Sequence, residues 1–289
     1  MDNRHGYEIP QMKTILITNQ PDVAADAQSA GVSRIMVDLE SIGKQQRQAS
    51  RNTFISSHTK EDIATVRAVL DKAELIVRIN PWHEGSHAEI DHAIKYGADM
   101  IMLPMITGMQ QVHACAKAIA GRAIFLPLVE TSYSMHHIGD IAAMQEVQEL
   151  YIGLNDLHLS LGQDFLFEPL ADGSVEKMAV IIKQQGKAFG FGGIAIMGSG
   201  ELPAEKILGE HERLGSTRVI LSSRFCKDIN IEDPQGRKKR IQAALERMQQ
   251  QYTTLARRNA DQRQQDSEET CARIRHIAQK LQAQRKKIL

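Results

Sequence analysis

Four short stretches place charged side chains directly after runs that are otherwise apolar. "RIMVDLE" ends on Asp38, Leu39 and Glu40, "ELIVRIN" carries Arg78, "AIFLPLVE" ends on Glu130, and "ELYIGLND" ends on Asn155 and Asp156. A carboxylate at the end of a buried segment is costly unless a charge meets it. If Glu130 and Asp156 end neighbouring strands, they lie ~4.8 Å apart, the strand spacing of a sheet. Two carboxylates that close repel unless a proton or a cation lies between them. A hard divalent ion, Mg²⁺ or Mn²⁺, suits such a pair, because it takes few protein carboxylates and leaves room for water and substrate oxygens. Arg78 offers a fixed fork for a substrate carboxylate. Metal and clamp together describe a site for a 2-oxo acid, in which the cation stabilises the enolate formed when a C–C bond breaks. The plainer alternatives are that the carboxylates cap helices and that Arg78 is a structural partner of Asp38 or Glu40.

The elements that must position these groups are legible in the pattern. Eight apolar, β-branched runs recur: "KTILITN", "RIMVDLE", "ELIVRIN", "DMIMLP", "AIFLPLVE", "ELYIGL", "GFGGIAIMG" and "TRVILSS". Seven follow a helix-like stretch, often closed by Gly, the usual helix stop. Near-continuous apolar runs alternating with helices imply parallel strands joined by crossover helices. Eight such units predict a (β/α)₈ TIM barrel over residues 1–232, with a doubly wound open sheet as the other arrangement of the same parts. In a barrel, chemistry belongs to the C-terminal strand ends. That rule adds Pro104 after the fourth run, Ser199 within Gly198-Ser199-Gly200 after the seventh, and Ser222-Ser223-Arg224 after the eighth as candidate substrate contacts. His136 and His137 read as surface residues and His158 as locally hydrogen-bonded.

Composition bounds the function classes. The 289 residues are 42% hydrophobic, 24% charged and only 4% aromatic, so a large core must be filled by aliphatic side chains and Met. No apolar run approaches the ~20 residues of a membrane span, and the first residues lack the apolar stretch of a secretory signal. Cys115, Cys226 and Cys271 give neither a disulfide framework nor a zinc spacing, and Gly43-Lys44 lacks the upstream glycine of a P-loop. The cytosol is the expected compartment. Net charge is zero, yet from Pro234 onward Lys and Arg exceed Asp and Glu by nine. Aromatics that could stack bases are scarce there, which argues against nucleic acid. Residues 233–289 read as a basic helical extension with a thin seam, Ile241, Leu245, Met248, Tyr252 and Leu255, resuming at Ile274, Ile277 and Leu281. So narrow a seam needs a partner surface.

The stretches "VDLESIGKQQRQ", "VRIN", "GADMIMLPMI", "PLVETSYSM" and "YIGLNDLHLSLG" resemble the metal-dependent hydroxy-ketoacid aldolases and citrate lyase β-chains of the pyruvate/phosphoenolpyruvate barrel superfamily. The resemblance covers most of residues 13–225. It implies a carbon–carbon lyase that forms or cleaves a bond beside a 2-oxo acid, with pyruvate and an aldehyde as partners. It implies Glu130 and Asp156 as ligands of Mg²⁺ or Mn²⁺, Arg78 as the carboxylate-binding group, and Asp38 and Glu40 as residues that shape the site and hold metal-bound water. It also implies a homo-oligomer in which the last helices pack on neighbouring subunits. Pro104 and Asn155, at the ends of the fourth and sixth runs, are expected as further substrate contacts. The sequence departs from that pattern at Ser41, where the aldolase branch carries an acid/base His and the lyase branch an Asp. Lys44 and His58 are the nearby groups that could move a proton instead. Two other readings follow: a citrate-lyase-like enzyme acting on acyl-CoA thioesters, and a non-catalytic oxo-acid-binding or assembly subunit.

Overall fold

The computed structural model describes residues 11–43 and 57–288. Eight parallel strands close in sequence order into a barrel: β1 (Lys13–Ile17), β2 (Arg34–Asp38), β3 (Glu74–Arg78), β4 (Met100–Leu103), β5 (Ile124–Val129), β6 (Glu149–Ile152), β7 (Ala188–Ile194) and β8 (Arg218–Leu221). β8 pairs back onto β1, with Thr14 opposite Val219. The closed order decides for the TIM barrel over the open sheet.

Each strand alternates between a face toward the outer helices and a face toward the barrel axis. The axial face holds a packed layer of Ile15, Met36, Ile76, Met100, Met102, Leu126, Leu128 and Tyr151. Methionine and aliphatics fill it, as the scarcity of aromatics requires. Tyr151 is the large exception. Its hydroxyl donates to the Gly192 carbonyl at 2.7 Å and accepts from the Ile220 amide at 2.8 Å. A side chain at Gly190 would come within 2.5 Å of the Tyr151 ring, so that glycine makes the room.

The same parity carries charge at both ends of the barrel. At the N-terminal end Arg34 on β2 reaches across to Glu149 on β6 through two bonds of 2.8 Å, and bonds Glu74 at 2.6 Å. Arg218 on β8 meets the same Glu149 at 2.9 and 3.0 Å. Four strands that each open on a charge, "RIMVD", "ELIVR", "ELYI" and "RVIL", thereby plug the barrel floor. The plug was not anticipated from sequence, although those four opening charges were its visible sign.

Around the barrel lie α1 (Pro21–Ser29), α2 (Glu61–Arg67), α3 (Ser86–Lys95), α4 (Met109–Ile119), α5 (Ser132–His136), α6 (Ile138–Ala143), α7 (Leu154–Ser160), α8 (Glu168–Ala171), α9 (Ser174–Gln184), α10 (Ala204–Leu214) and α11 (Ser223–Asp228). The extension forms α12 (Arg237–Ala256) and α13 (Ala260–Ile288). They separate at Asn259, whose side chain accepts from the Gln262 amide at 2.9 Å while Gln262 accepts from the Asn259 amide at 3.0 Å, a reciprocal cap. Much of the surface that the thin seam requires is supplied by the chain's own barrel: α12 packs on α1 and α10, and α13 packs on α8 and α10. Ile241, Met248, Tyr252, Leu255, Ile274 and Ile277 are all buried in this way. Arg237, itself buried, fixes the start of α12 on α1 through Asp22 at 2.9 Å and Asp26 at 3.3 Å. Among the described residues no helix is long and apolar enough to cross a membrane.

The floor network makes a pH prediction. Burial opposes ionisation of Glu149, but the hydrogen bonds and charges of Arg34 and Arg218 outweigh it and hold the carboxyl at about 2, below its ordinary 4.5. A depressed carboxyl contributes stability above its unfolded value and loses it as pH falls toward the folded one. That contribution is about 3 kcal/mol at neutral pH. Glu149→Gln is expected to destabilise the protein by about 3–5 kcal/mol at pH 7, because Arg34 loses its partner in a buried site. It should also flatten the stability profile between about pH 4.5 and 2, measured by denaturant titration across that range.

Candidate functional site

At the opposite end of the barrel the axial parity brings Asp38, Arg78 and Glu130 into one mouth. Asp38 and Arg78 are directly opposed residues on β2 and β3. Arg78 donates from Nε to Asp38 Oδ1 and from Nη2 to Oδ2, both at 2.8 Å. Its Nε is also 3.6 Å from Glu40 Oε2. Both acids are buried, each about 2% exposed, whereas the Arg78 side chain keeps 15% of its surface open to the mouth. Burial opposes the guanidinium charge, yet Asp38, Glu40 and Glu130 together hold it firmly protonated. Arg78 is therefore the ion-paired residue of the plainer reading, with its Nε–Nη2 edge on Asp38 and part of its side chain still open to the mouth.

Glu130 follows β5, and Gly153 follows β6 in register with it, since Val129 stands opposite Ile152. Glu130 Oε1 accepts the Met105 amide at 2.9 Å. A Cβ at position 153 would lie 2.8 Å from Glu130 Oε2 and 2.9 Å from its Cβ, so only glycine leaves this carboxylate its place. The strand-end position expected for Asp156 needs correction. β6 stops at Ile152, and Asp156 lies in the first turn of α7, three residues beyond Gly153. The helix turns it back toward Glu130, and its charge there also favours the helix N-terminus. Burial, then Asp156, then Glu40 raise the Glu130 carboxyl well above 4.5, with Arg78 opposing.

The residues present fit a hard divalent cation. They offer carboxylate oxygens and no soft ligand, the Gly153 cradle admits the Glu130 carboxylate, and ionised Glu130 lacks full compensation from Arg78. Among the described residues no three His, Cys, Asp or Glu side chains form a ready-made cage. Two carboxylates with water and substrate completing the shell is the arrangement Mg²⁺ accepts.

The remaining expected residues fall as follows. Pro104 is buried at the mouth just after β4, and Asn155 is half-buried beside Asp156 in α7. The Ser199 hydroxyl donates to Asp228 at 2.5 Å, and Gly198 donates its amide to Glu205 at 2.6 Å, so that loop is closed on itself. Asp228 also pairs with Arg224 at 2.7 Å. Lys44 lies outside the described residues. His58 accepts the Asp38 amide through Nδ1 at 2.9 Å, which places the proton of the neutral ring on Nε2. The Ser41 hydroxyl and amide both go to Asn80 Oδ1, at 3.2 and 2.9 Å, and Asn80 is held in turn by Glu89 at 2.9 Å. Ser41 thus fixes the start of its loop. His136 is exposed, the His137 ring stacks on Tyr133, and buried His158 bonds the Leu154 carbonyl at 3.1 Å. Met105 was not singled out from sequence, and Asn80 and Gly153 were read only as positions at the ends of the third and sixth runs. Asn80 follows a strand end by two residues, and Gly153 breaks an apolar run, so both carried a signal.

The family profile for HpcH/HpaI aldolase/citrate lyase matches residues 14–165, which hold every group of the mouth just described. The chain belongs to this family. Solved structures agree on the fold. An HpcH/HpaI aldolase from Desulfitobacterium hafniense DCB-2 superposes with a TM-score of 0.58 at 16% identity, covering 77% of this chain and 90% of the other. An HpcH/HpaI aldolase/citrate lyase family protein from Burkholderia cenocepacia J2315 gives 0.57 at 17% identity, covering 77% and 92%. The protein CitE from Mycobacterium tuberculosis, in complex with magnesium, acetoacetate and coenzyme A, gives 0.56 at 16% identity, covering 88% and 84%. No curated protein sequence matches the chain.

A thermal prediction follows from the buried pair. Ionising Glu130 costs folding free energy, so the metal-free protein should lose stability as pH rises from 4.5 through the raised folded value. Glu130→Gln should melt higher than the parent in chelator at pH 7.5. Mn²⁺ at about 100 times its dissociation constant should stabilise the parent by about 2.7 kcal/mol and the variant by nothing, as read by calorimetry.

Proposed function

We propose that this chain is a metal-dependent carbon–carbon lyase that forms or cleaves the bond next to a 2-oxo acid, giving pyruvate or a close relative and an aldehyde. The observation that carries the reading is the buried Glu130 carboxylate, held on the Met105 amide in one mouth with Arg78, its pKa raised by burial and by the charge of Asp156. A Mg²⁺ or Mn²⁺ ion held by Glu130 and Asp156 would supply the positive charge that stabilises a developing enolate oxygen. Arg78, fixed by Asp38 along one edge of its guanidinium, turns the other edge to the substrate carboxylate and sets its orientation. Asp38 and Glu40 keep that cation in place and keep the mouth acidic enough to retain a divalent ion. Ser41 is spent on Asn80, and His58, seated on the end of β2 through the Asp38 amide, is the candidate this reading assigns to moving the proton. The 2-oxo acid and the aldehyde act as small-molecule partners of a soluble enzyme in this reading.

A second reading, action on an acyl-CoA thioester, takes its chemistry from the CitE structure, which holds magnesium, acetoacetate and coenzyme A on the same fold.

Pyruvate in heavy water with Mn²⁺ tests the first reading, with loss of the methyl proton signal followed by NMR. Metal-dependent exchange is expected, abolished by chelator and slowed about 100-fold or more by Glu130→Gln. Arg78→Ala should act mainly by raising the pyruvate concentration needed for half-maximal rate. Absence of exchange with Mn²⁺ bound would transfer the assignment to the thioester reading, in which acetyl-CoA methyl exchange is the corresponding signal.

A further inference from the structure

The turn after β4 has an unusual backbone and an unusual set of ties. Met105 has φ of +51°, the left-handed region that a side chain other than Gly or Asn rarely adopts. Such a conformation persists only where the surroundings over-determine it, and it clusters at functional sites. Pro104 precedes it with its own φ fixed. The Ile106 carbonyl accepts the Thr131 hydroxyl at 2.5 Å. Farther along, the Met109 amide donates to the Tyr133 hydroxyl at 3.1 Å. Both anchors belong to the segment that immediately follows Glu130. Thr131 is itself immobile, because its Oγ1 caps α5 by accepting the Ser134 amide at 3.0 Å and its own amide donates to Ser134 Oγ at 3.1 Å.

The result of these ties is one amide pointing at one carboxylate oxygen, Met105 N–H to Glu130 Oε1. With Oε1 taken, Oε2 is left over Gly153, at the start of the helix that carries Asp156. We infer that the Pro104-Met105-Ile106 turn, locked by the Thr131 hydroxyl, is a positioning device that fixes the Glu130 carboxylate so that Oε2 is presented toward Asp156. Thr131 and Met105 are positioning residues, acting through Glu130. The inference rests on the metal reading above and deepens it: affinity for the cation depends on a backbone conformation two elements away from Asp156.

The test uses the full chain, freed of metal, and Mn²⁺ alone as probe, with free Mn²⁺ followed by electron paramagnetic resonance. Met105→Ile, a β-branched residue that resists left-handed backbone, should weaken Mn²⁺ binding about tenfold or more, the usual cost of disturbing a group that orients a ligand. Met105→Gly, which accepts that backbone and keeps the amide, should bind within about twofold of the parent. Thr131→Val should weaken binding in the same way, and Thr131→Ser should restore it. A folded Met105→Ile or Thr131→Val protein that binds Mn²⁺ as tightly as the parent would overturn the inference. If one variant does not fold, the other pair decides. If the parent binds no Mn²⁺, the metal reading fails instead, and amide exchange in the metal-free protein judges the turn. Faster exchange at Met105 in Glu130→Ala would uphold the contact, and unchanged exchange would overturn it.

Discussion

The mouth of this barrel depends on one electrostatic constraint, the buried Glu130 carboxylate, whose ionisation is opposed by burial and by the charge of Asp156. Glu130 is about 2% exposed and Asp156 faces it from the first turn of α7. Arg78 opposes that cost, but its strongest bonds go to Asp38. A carboxylate so placed is one that a divalent cation would compensate. Gly153, the Met105 amide and the Thr131 cap are all explained by that constraint, since each keeps Glu130 where it would not rest unaided.

The barrel can carry this strain because its other charges are balanced. At the floor Arg34 and Arg218 enclose Glu149, and Glu74 completes the set. Between floor and mouth lies a single apolar layer of Met, Ile and Leu with Tyr151. Each of β2 and β3 thus has the same construction on its axial face: a charge at the bottom, an apolar residue in the middle, a charge at the top. Arg34, Met36 and Asp38 share that face of β2, and Glu74, Ile76 and Arg78 that of β3. The floor pairs are satisfied and structural, while at the top the Asp38–Arg78 pair lies beside Glu130, whose ionisation burial opposes.

Eight apolar runs separated by helical patterns were enough to read the fold, because strands buried on both faces have few polar residues to obscure them. The mouth residues were legible for a related reason, since Asp38, Arg78 and Glu130 interrupt or end those runs on the axial parity. What was not legible was anything decided by conformation. Asp156 was placed at a strand end, but Gly153 stops β6 earlier and a helical turn supplies the approach. Ser199 was read as a possible ligand contact, but only the folded chain brings Asp228 to its hydroxyl. The partners of the extension's seam within the chain, α1, α8 and α10, were not read because they are remote in sequence from it. A left-handed Met105 has no signature in composition at all.

The most direct test of the account is anomalous diffraction from a crystal of the full chain grown with Mn²⁺. The account predicts one strong peak between Glu130 and Asp156, about 2 Å from an oxygen of each, with Glu130 Oε1 still on the Met105 amide. A crystal in which Mn²⁺ avoids this pair, and in which Glu130 and Asp156 instead share a short hydrogen bond through a proton, would contradict it.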